Sequence, residues 1–318
     1  MHPPHPLHTP LLAHSVLRIL LLLSLLASTT PHAAPRPPYQ PILPKAAAFL
    51  LSLPLTLPMP LTLPAHAYTP IPPSELSNVF SQPWLDEPTS LASYPPASFR
   101  RLDESPDTAF YTEPRFVEHL DAKGVEKLTA YHRSILGAAS KTLGRPLSVL
   151  DVCASWASHT GSSPPSPNPN PQIARFSAIG LNAQELKANP ALTDYATLDL
   201  NLAPTPALPY PSNTFDVGLL QLSVDYLTNP VFVMTEISRV LKPGGVVYVS
   251  FSNRVFIQKA VANWTGKPDI EHIEMVGDYL RLSGGFVMPP SVVDLGSTGG
   301  DPLYVVSATK GQGQGQGL

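Results

Sequence analysis

Four polar side chains stand where short apolar runs end. Asp151 closes the run 147–152, Asn182 follows 175–181, Asp199 lies at the end of 195–200, and Gln221 ends 215–221. Runs this short and this apolar read as strands buried on both faces of a parallel sheet. Open sheets of that kind bind ligands beyond the carboxyl ends of their strands. A carboxylate accepts hydrogen bonds, while an amide both accepts and donates. Side chains of these types can hydrogen-bond a polar small molecule. Ser155, Ser158 and His159, just after Asp151, add side chains that can do the same.

Other chemistries lack their residues. Cys153 is the only cysteine, so neither an internal disulfide nor a thiolate zinc cluster can form. Six of the ten histidines lie before residue 68, and the other four, His119, His132, His159 and His272, show no H-E-x-x-H spacing. A metal centre is not expected. No G-x-S-x-G elbow offers a serine nucleophile.

The elements that must position these residues are clearest between 208 and 251. Pro209, Pro211 and the trio Ser212-Asn213-Thr214 make a surface loop before the strand 215–221. Asn229 is a candidate helix cap and Pro230 fits a first helical turn. Val233, Met234, Ile237, Val240 and Leu241 then repeat at helical spacing, with Arg239 off that stripe, toward solvent. Lys242 suits the helix C-terminus, and Pro243-Gly244-Gly245 turns the chain into a strand over 246–251. This is one right-handed strand–helix–strand crossover. Helices are expected over 114–121, 123–139, 183–187, 253–263 and 270–283, and a closing hairpin over 292–295 and 303–308.

LPYPSNTFD followed by RVLKPGG resembles the carboxyl half of the type-11, class I methyltransferases that use S-adenosylmethionine. The resemblance spans roughly 112–308 and is most specific over 195–251. It implies an α/β, Rossmann-like seven-stranded class I methyltransferase fold, mostly parallel with a C-terminal antiparallel hairpin. It also implies a cofactor site made of Asp151, Ser155, Asn182, Asp199, Leu200 and Gln221. Asp199 would meet the adenine amino group with Leu200 against the ring, and Gln221 the sulfonium side. Asn182 would meet the ribose, or merely cap the helix 183–187, the two roles not excluding each other. Asp225 and Tyr226 stand where many members present substrate-side groups, and Asp225 equally suits the surface. The helices before the first strand would cover the cofactor cleft or simply pack on the sheet.

The chain departs from the family at the first strand. A D-x-G-x-G-x-G turn is expected there, its glycines letting the backbone approach the cofactor. This chain reads Asp151-Val152-Cys153-Ala154-Ser155-Trp156-Ala157-Ser158-His159, with none of the glycines. The stretch 161–171, GSSPPSPNPNP, cannot form a helix interior at about 3 kcal/mol per proline, leaving at most one turn between Ser155 and Thr160. Two readings stay open: a loop rebuilt with side-chain hydrogen bonds, or a lost site.

Before residue 75 there is no acidic residue, and 17 of the 40 prolines fall within residues 1–73. Without Arg18, Arg36 and Lys45, 17 basic residues face 23 acidic ones, a net charge of about −6. No basic patch invites nucleic acid. The hydrophobic run 19–27 is too short for about 30 Å of hydrocarbon. The run 46–63 contains Pro54, Pro58 and Pro60 and ends in Ala65-His66-Ala67, an A-x-A cleavage pattern. No stable membrane span is expected in the mature chain. Two signals in series resemble a leader to a plastid and on to the thylakoid lumen; secretion is the alternative.

The expected organisation is a targeting leader over 1–67, an irregular extension over 68–111, a methyltransferase-like domain over 112–308 and a tail over 309–318. The function expected is an S-adenosylmethionine-dependent methyltransferase acting on a small-molecule acceptor. An inactive methyltransferase-like binding or assembly protein is the alternative. A dinucleotide oxidoreductase would need the same absent glycine turn.

Overall fold

The computed structural model describes residues 71–86, 89–161, 172–296 and 299–312. The leader, its cleavage pattern, the proline-rich stretch after Gly161 and the end of the tail lie outside them. Short helices α1 (Pro73–Asn78), α2 (Gln82–Asp86) and α3 (Asp107–Phe110) come first, then the long α4 (Ala122–Leu143). The rest alternates: β1 (Leu147–Val152), β2 (Ile173–Gly180), α5 (Ala183–Ala188), β3 (Asp194–Thr197), β4 (Phe215–Gln221), α6 (Pro230–Val240), β5 (Leu241–Phe251), α7 (Asp269–Leu282), β6 (Ser291–Asp294) and β7 (Tyr304–Thr309). The strands form one seven-stranded sheet in the order β3-β2-β1-β4-β5-β7-β6. The first five are parallel, and β7 joins antiparallel to both β5 and β6. The expected fold class is the one observed.

Alternation along the strands builds two apolar layers. On β1, Leu147 and Val149 point to α4, where Leu136 packs with Phe176, Val217 and Leu219. Leu150 and Val152 point the other way, into the larger core with Met234, Ile237 and Val240 of α6 and Ile273, Val276 and Leu280 of α7. Full burial of each such side chain is worth about 1.5–3 kcal/mol, so α6 and α7 are held by their apolar stripes rather than by propensity. The strand order reverses between β1 and β4, which leaves a crevice at the carboxyl ends of β1, β2 and β4.

The base of the sheet is fixed by Asp216. Its carboxylate accepts from Arg145 at 2.6 and 2.9 Å, from Ser148 N at 2.8 Å and from Lys242 Nζ at 2.9 Å. Burial disfavours its charge, but those bonds outweigh it and hold the carboxyl at about 2. Lys242 thus serves a carboxylate on the neighbouring strand rather than the helix terminus. Between Leu241 and Val246 the pairing of β5 with β4 slips, and Gly244 at φ 78° makes that turn possible.

Several local expectations fail. Residues 114–121 are not helical, nor are 253–263, which form turns bridged to Arg101 through Val261. Asn229 does not cap α6; its Nδ2 donates to Thr205 Oγ1 at 3.1 Å. Between Ser155 and Thr160, where at most one turn was expected, the chain has no helical turn, in keeping with that limit. Arg239, expected toward solvent, donates to the carbonyls of Tyr210 and Leu208 and pairs with Glu236. The stretch expected to be irregular before 112 contributes Phe80 and Trp84 to the main core, against Gly277 of α7.

Candidate functional site

All six residues singled out above, Asp151, Ser155, Asn182, Asp199, Leu200 and Gln221, line one cavity of about 120 Å³ at the carboxyl ends of the strands. Asp151 ends β1 and is buried, with Gln221 Nε2 donating to its Oδ2 at 2.9 Å across the β1–β4 pair. Burial raises the Asp151 carboxyl to about 7. Asn182 Oδ1 caps α5 by accepting from Gln184 N and Glu185 N, while its Nδ2 donates to the Tyr111 carbonyl at 2.9 Å. β3 ends three residues earlier than expected, so Asp199 and Leu200 sit in the loop beyond it. Asp199 Oδ1 accepts from Asn201 N at 2.9 Å, and no hydrogen bond to Oδ2 occurs among the described residues.

The turn after β1 keeps a glycine-like path without glycine. Cys153, at the first expected glycine, has φ 60°, and His159 has φ 44°. Both lie in the left-handed region that costs a residue with a Cβ about 1–2 kcal/mol. The turn also crosses Gly180 of β2 so closely that a Cβ there would sit 2.2 Å from the Ala154 carbonyl oxygen. Ser155 Oγ donates to Glu185 Oε2 at 2.6 Å. Ser158 is buried behind the cavity lining, where Asn189 Nδ2 donates to its Oγ at 2.8 Å and its side chain hydrogen-bonds Asp151. His159 lines the cavity, and burial lowers its imidazole to about 4. Burial also pushes the Cys153 thiol up to about 12, leaving it a poor nucleophile.

The fourth wall of the cavity is a strap over residues 107–121 that sequence reading left without site residues. Tyr111, Arg115 and His119 come from it. At one end Asp107 is locked by Arg101 at 2.7 Å and Lys259 at 3.2 Å. At the other, Asp121 N donates to Asp301 Oδ2 at 2.6 Å. In between, Arg115 N donates to Glu185 Oε1 at 2.6 Å, and Trp156 Nε1 donates to the Val117 carbonyl at 3.1 Å. Residues before β1 therefore do cover the cleft, although not as a helix. Tyr226 lines the cavity as well, its hydroxyl accepting from Phe256 N at 2.9 Å. Asp225 is buried rather than on the surface, and burial raises its carboxyl to about 7.

Beyond Asp107, Asp199 and Asn201 lies a wider open groove of about 720 Å³, with Tyr94, Phe99 and Leu202 on its walls. The two spaces share those three residues. Asp107 is already paired with Arg101 and Lys259, which leaves Asp151, Glu185 and Asp199 beside the one arginine of the inner cavity, a set that favours a ligand carrying positive charge. Among the described residues no helix is long and apolar enough to cross a membrane.

Residues 171–249 match the family model described as a methyltransferase domain. No curated protein is significantly similar to the chain. Among solved structures, a methyltransferase from Aquifex aeolicus is 19% identical, with 58% of this chain and 96% of that one covered and a TM-score of 0.37. A methyltransferase from Mesorhizobium loti is 14% identical over 52% and 91%, at a TM-score of 0.35. The trans-methyltransferase CalH, solved with SAH, is 14% identical over 56% and 55%, at 0.42.

Proposed function

We propose that this chain, whose domain belongs with the class I, type-11 methyltransferases, binds S-adenosylmethionine and transfers its methyl group to a small molecule. The convergence of Asp151, Ser155, Asn182, Asp199, Leu200 and Gln221 on one cavity carries the reading. The donor set fits the cofactor: an acidic wall for a sulfonium and an ammonium, and an open Asp199 oxygen for an amino group. When bound, the cofactor supplies an electrophilic methyl group. Asp199 and Leu200 would hold the adenine, Asn182 the ribose, and Gln221 would keep the sulfonium end oriented through its bond to Asp151. Tyr226, at a position where the family presents substrate-side groups, would lie toward the acceptor, and His119 lines the same cavity. In this class the chain acts mainly by positioning donor and acceptor.

One observation favours a second reading, a binding or assembly protein without turnover. The cavity of about 120 Å³ is below the roughly 300 Å³ at which ligand pockets begin, and Asn182 and Glu185 already bond the strap. The methyltransferase reading therefore requires the strap to move and join the cavity to the outer groove. A melting experiment separates the two. At a hundredfold excess over Kd, ligand binding stabilises by about 2.7 kcal/mol, which for a domain of this size raises Tm by roughly 5–10 °C. No shift with millimolar S-adenosylhomocysteine favours the second reading.

The leader supports an address in the plastid, in the thylakoid lumen, with secretion as the alternative.

A further inference from the structure

Among the described residues, Arg115 is the single arginine or lysine on the inner cavity. Its guanidinium forms no ion pair among the described residues, and donates only to the Phe110 carbonyl, at 3.2 Å. An arginine has five N–H donors in a rigid fork, so most of this one's capacity is unspent. The fork is not loose. It lies 4.2 Å from the Phe110 ring centre and 5.5 Å from that of Phe256, a cation–π setting that restrains it. Its backbone is tied to the rebuilt turn after β1: Glu185 takes Arg115 N on one oxygen and the Ser155 hydroxyl on the other. The carboxylates nearby are otherwise engaged, Glu185 by those two donors and Asp107 by Arg101 and Lys259.

We propose that Arg115 binds the carboxylate at the amino-acid end of the cofactor, taking the place of the backbone amides of the missing glycine turn. A guanidinium and a carboxylate match as a bidentate pair, and Arg115 lines the cavity from the strap. The strap would then be part of the binding site, and the loss of glycines after β1 would not mean loss of the site. This inference rests on the cofactor reading above.

The test compares two probes, S-adenosylhomocysteine, which has the amino-acid end, and 5′-methylthioadenosine, which lacks it. Wild-type domain should bind the first more tightly. Arg115→Ala should weaken S-adenosylhomocysteine by about ten- to a hundredfold, the worth of a hydrogen bond to a charged group. It should leave methylthioadenosine within about twofold, and Arg115→Lys should fall between. Equal weakening of both probes would mark Arg115 as merely structural and overturn the proposal, as would no change in either. If wild-type protein binds methylthioadenosine as tightly as S-adenosylhomocysteine, the proposal falls while the cofactor reading stands. If it binds neither, both fall.

Discussion

Asn182 at the tip of β2 donates its amide to the carbonyl of Tyr111, 2.9 Å away on the strap. The same side chain caps α5 through its oxygen. One residue thus holds both the helix beside the cavity and the segment that closes it. Asn182→Asp keeps the cap, which needs only an acceptor, and removes the donor to the strap. Losing a neutral hydrogen bond of about 1 kcal/mol opens the strap about fivefold more often. Tryptic cleavage after Arg115 should speed up by that factor, because cleavage of an opened segment tracks its population. An unchanged rate would show that the strap is held by something else.

The packing of α6 gives a second prediction. Val240 is fully buried between α6 and the sheet, so Val240→Asp should cost about 3–5 kcal/mol through an unpaired buried charge. Arg239→Ala should cost about 1–3 kcal/mol, because its guanidinium spans the carbonyls of Leu208 and Tyr210 and the Glu236 carboxylate. Urea denaturation measures both. An Arg239 variant as stable as wild type would mean that the Leu208–Pro211 loop is not anchored there.

How much of this was legible varies by segment. Five parallel strands and the α6 stripe followed from apolar runs set between turn residues, a strictly local pattern, although β3, at the sheet edge, is not buried as expected. The six site residues followed from the family resemblance, which could be aligned because the strands leading to them are easy to place. Only Asp151 and Gln221 lie within strands, the other four in the turns just beyond them. The failures share a different cause. Residues 253–263 carry helical spacing, yet Val261, Ala262 and Asn263 give their N–H groups to Asp225, Arg100 and Ser98, partners that no local window contains. The strap fails likewise: its backbone bonds go to Glu185 and Trp156. Arg115 has no periodic neighbours, so nothing in its surroundings in the chain marks it. A lone arginine after a proline, Pro114, was the only available sign.

Acid and base should act on stability in opposite senses. Asp216 is held at about 2 in the folded protein, below the unfolded carboxylate at about 3.9. It stabilises above pH 4, and that contribution fades as pH falls from 4 toward 2. Asp151 and Asp225, both raised to about 7 by burial, act the other way. They favour folding below pH 4, and that advantage is lost as pH rises from 4 to 7. Thermal melts across pH should therefore peak near pH 4–5. Asp151→Asn should flatten the neutral side, and Asp216→Asn the acid side. A wild-type profile level from pH 5 to 7.5 would contradict the assignment of the two buried carboxyls.

The leader makes its own prediction. N-terminal sequencing of native protein should find a start near Tyr68, after Ala65-His66-Ala67. A start before residue 40 would point to secretion instead, and Asn263-Trp264-Thr265 would then be a sequon to examine for sugar.

The central claim is that the cavity holds S-adenosylmethionine, and calorimetric titration of the mature domain tests it most directly. Wild-type protein should release or take up heat with saturable one-site binding. Asp199→Ala should weaken that binding about ten- to a hundredfold, by removing a carboxylate acceptor worth about 1.5–3 kcal/mol. Saturable binding with that loss is the predicted result. No heat with millimolar cofactor, from wild-type domain that melts cooperatively, would contradict the account and leave the fold without its cofactor.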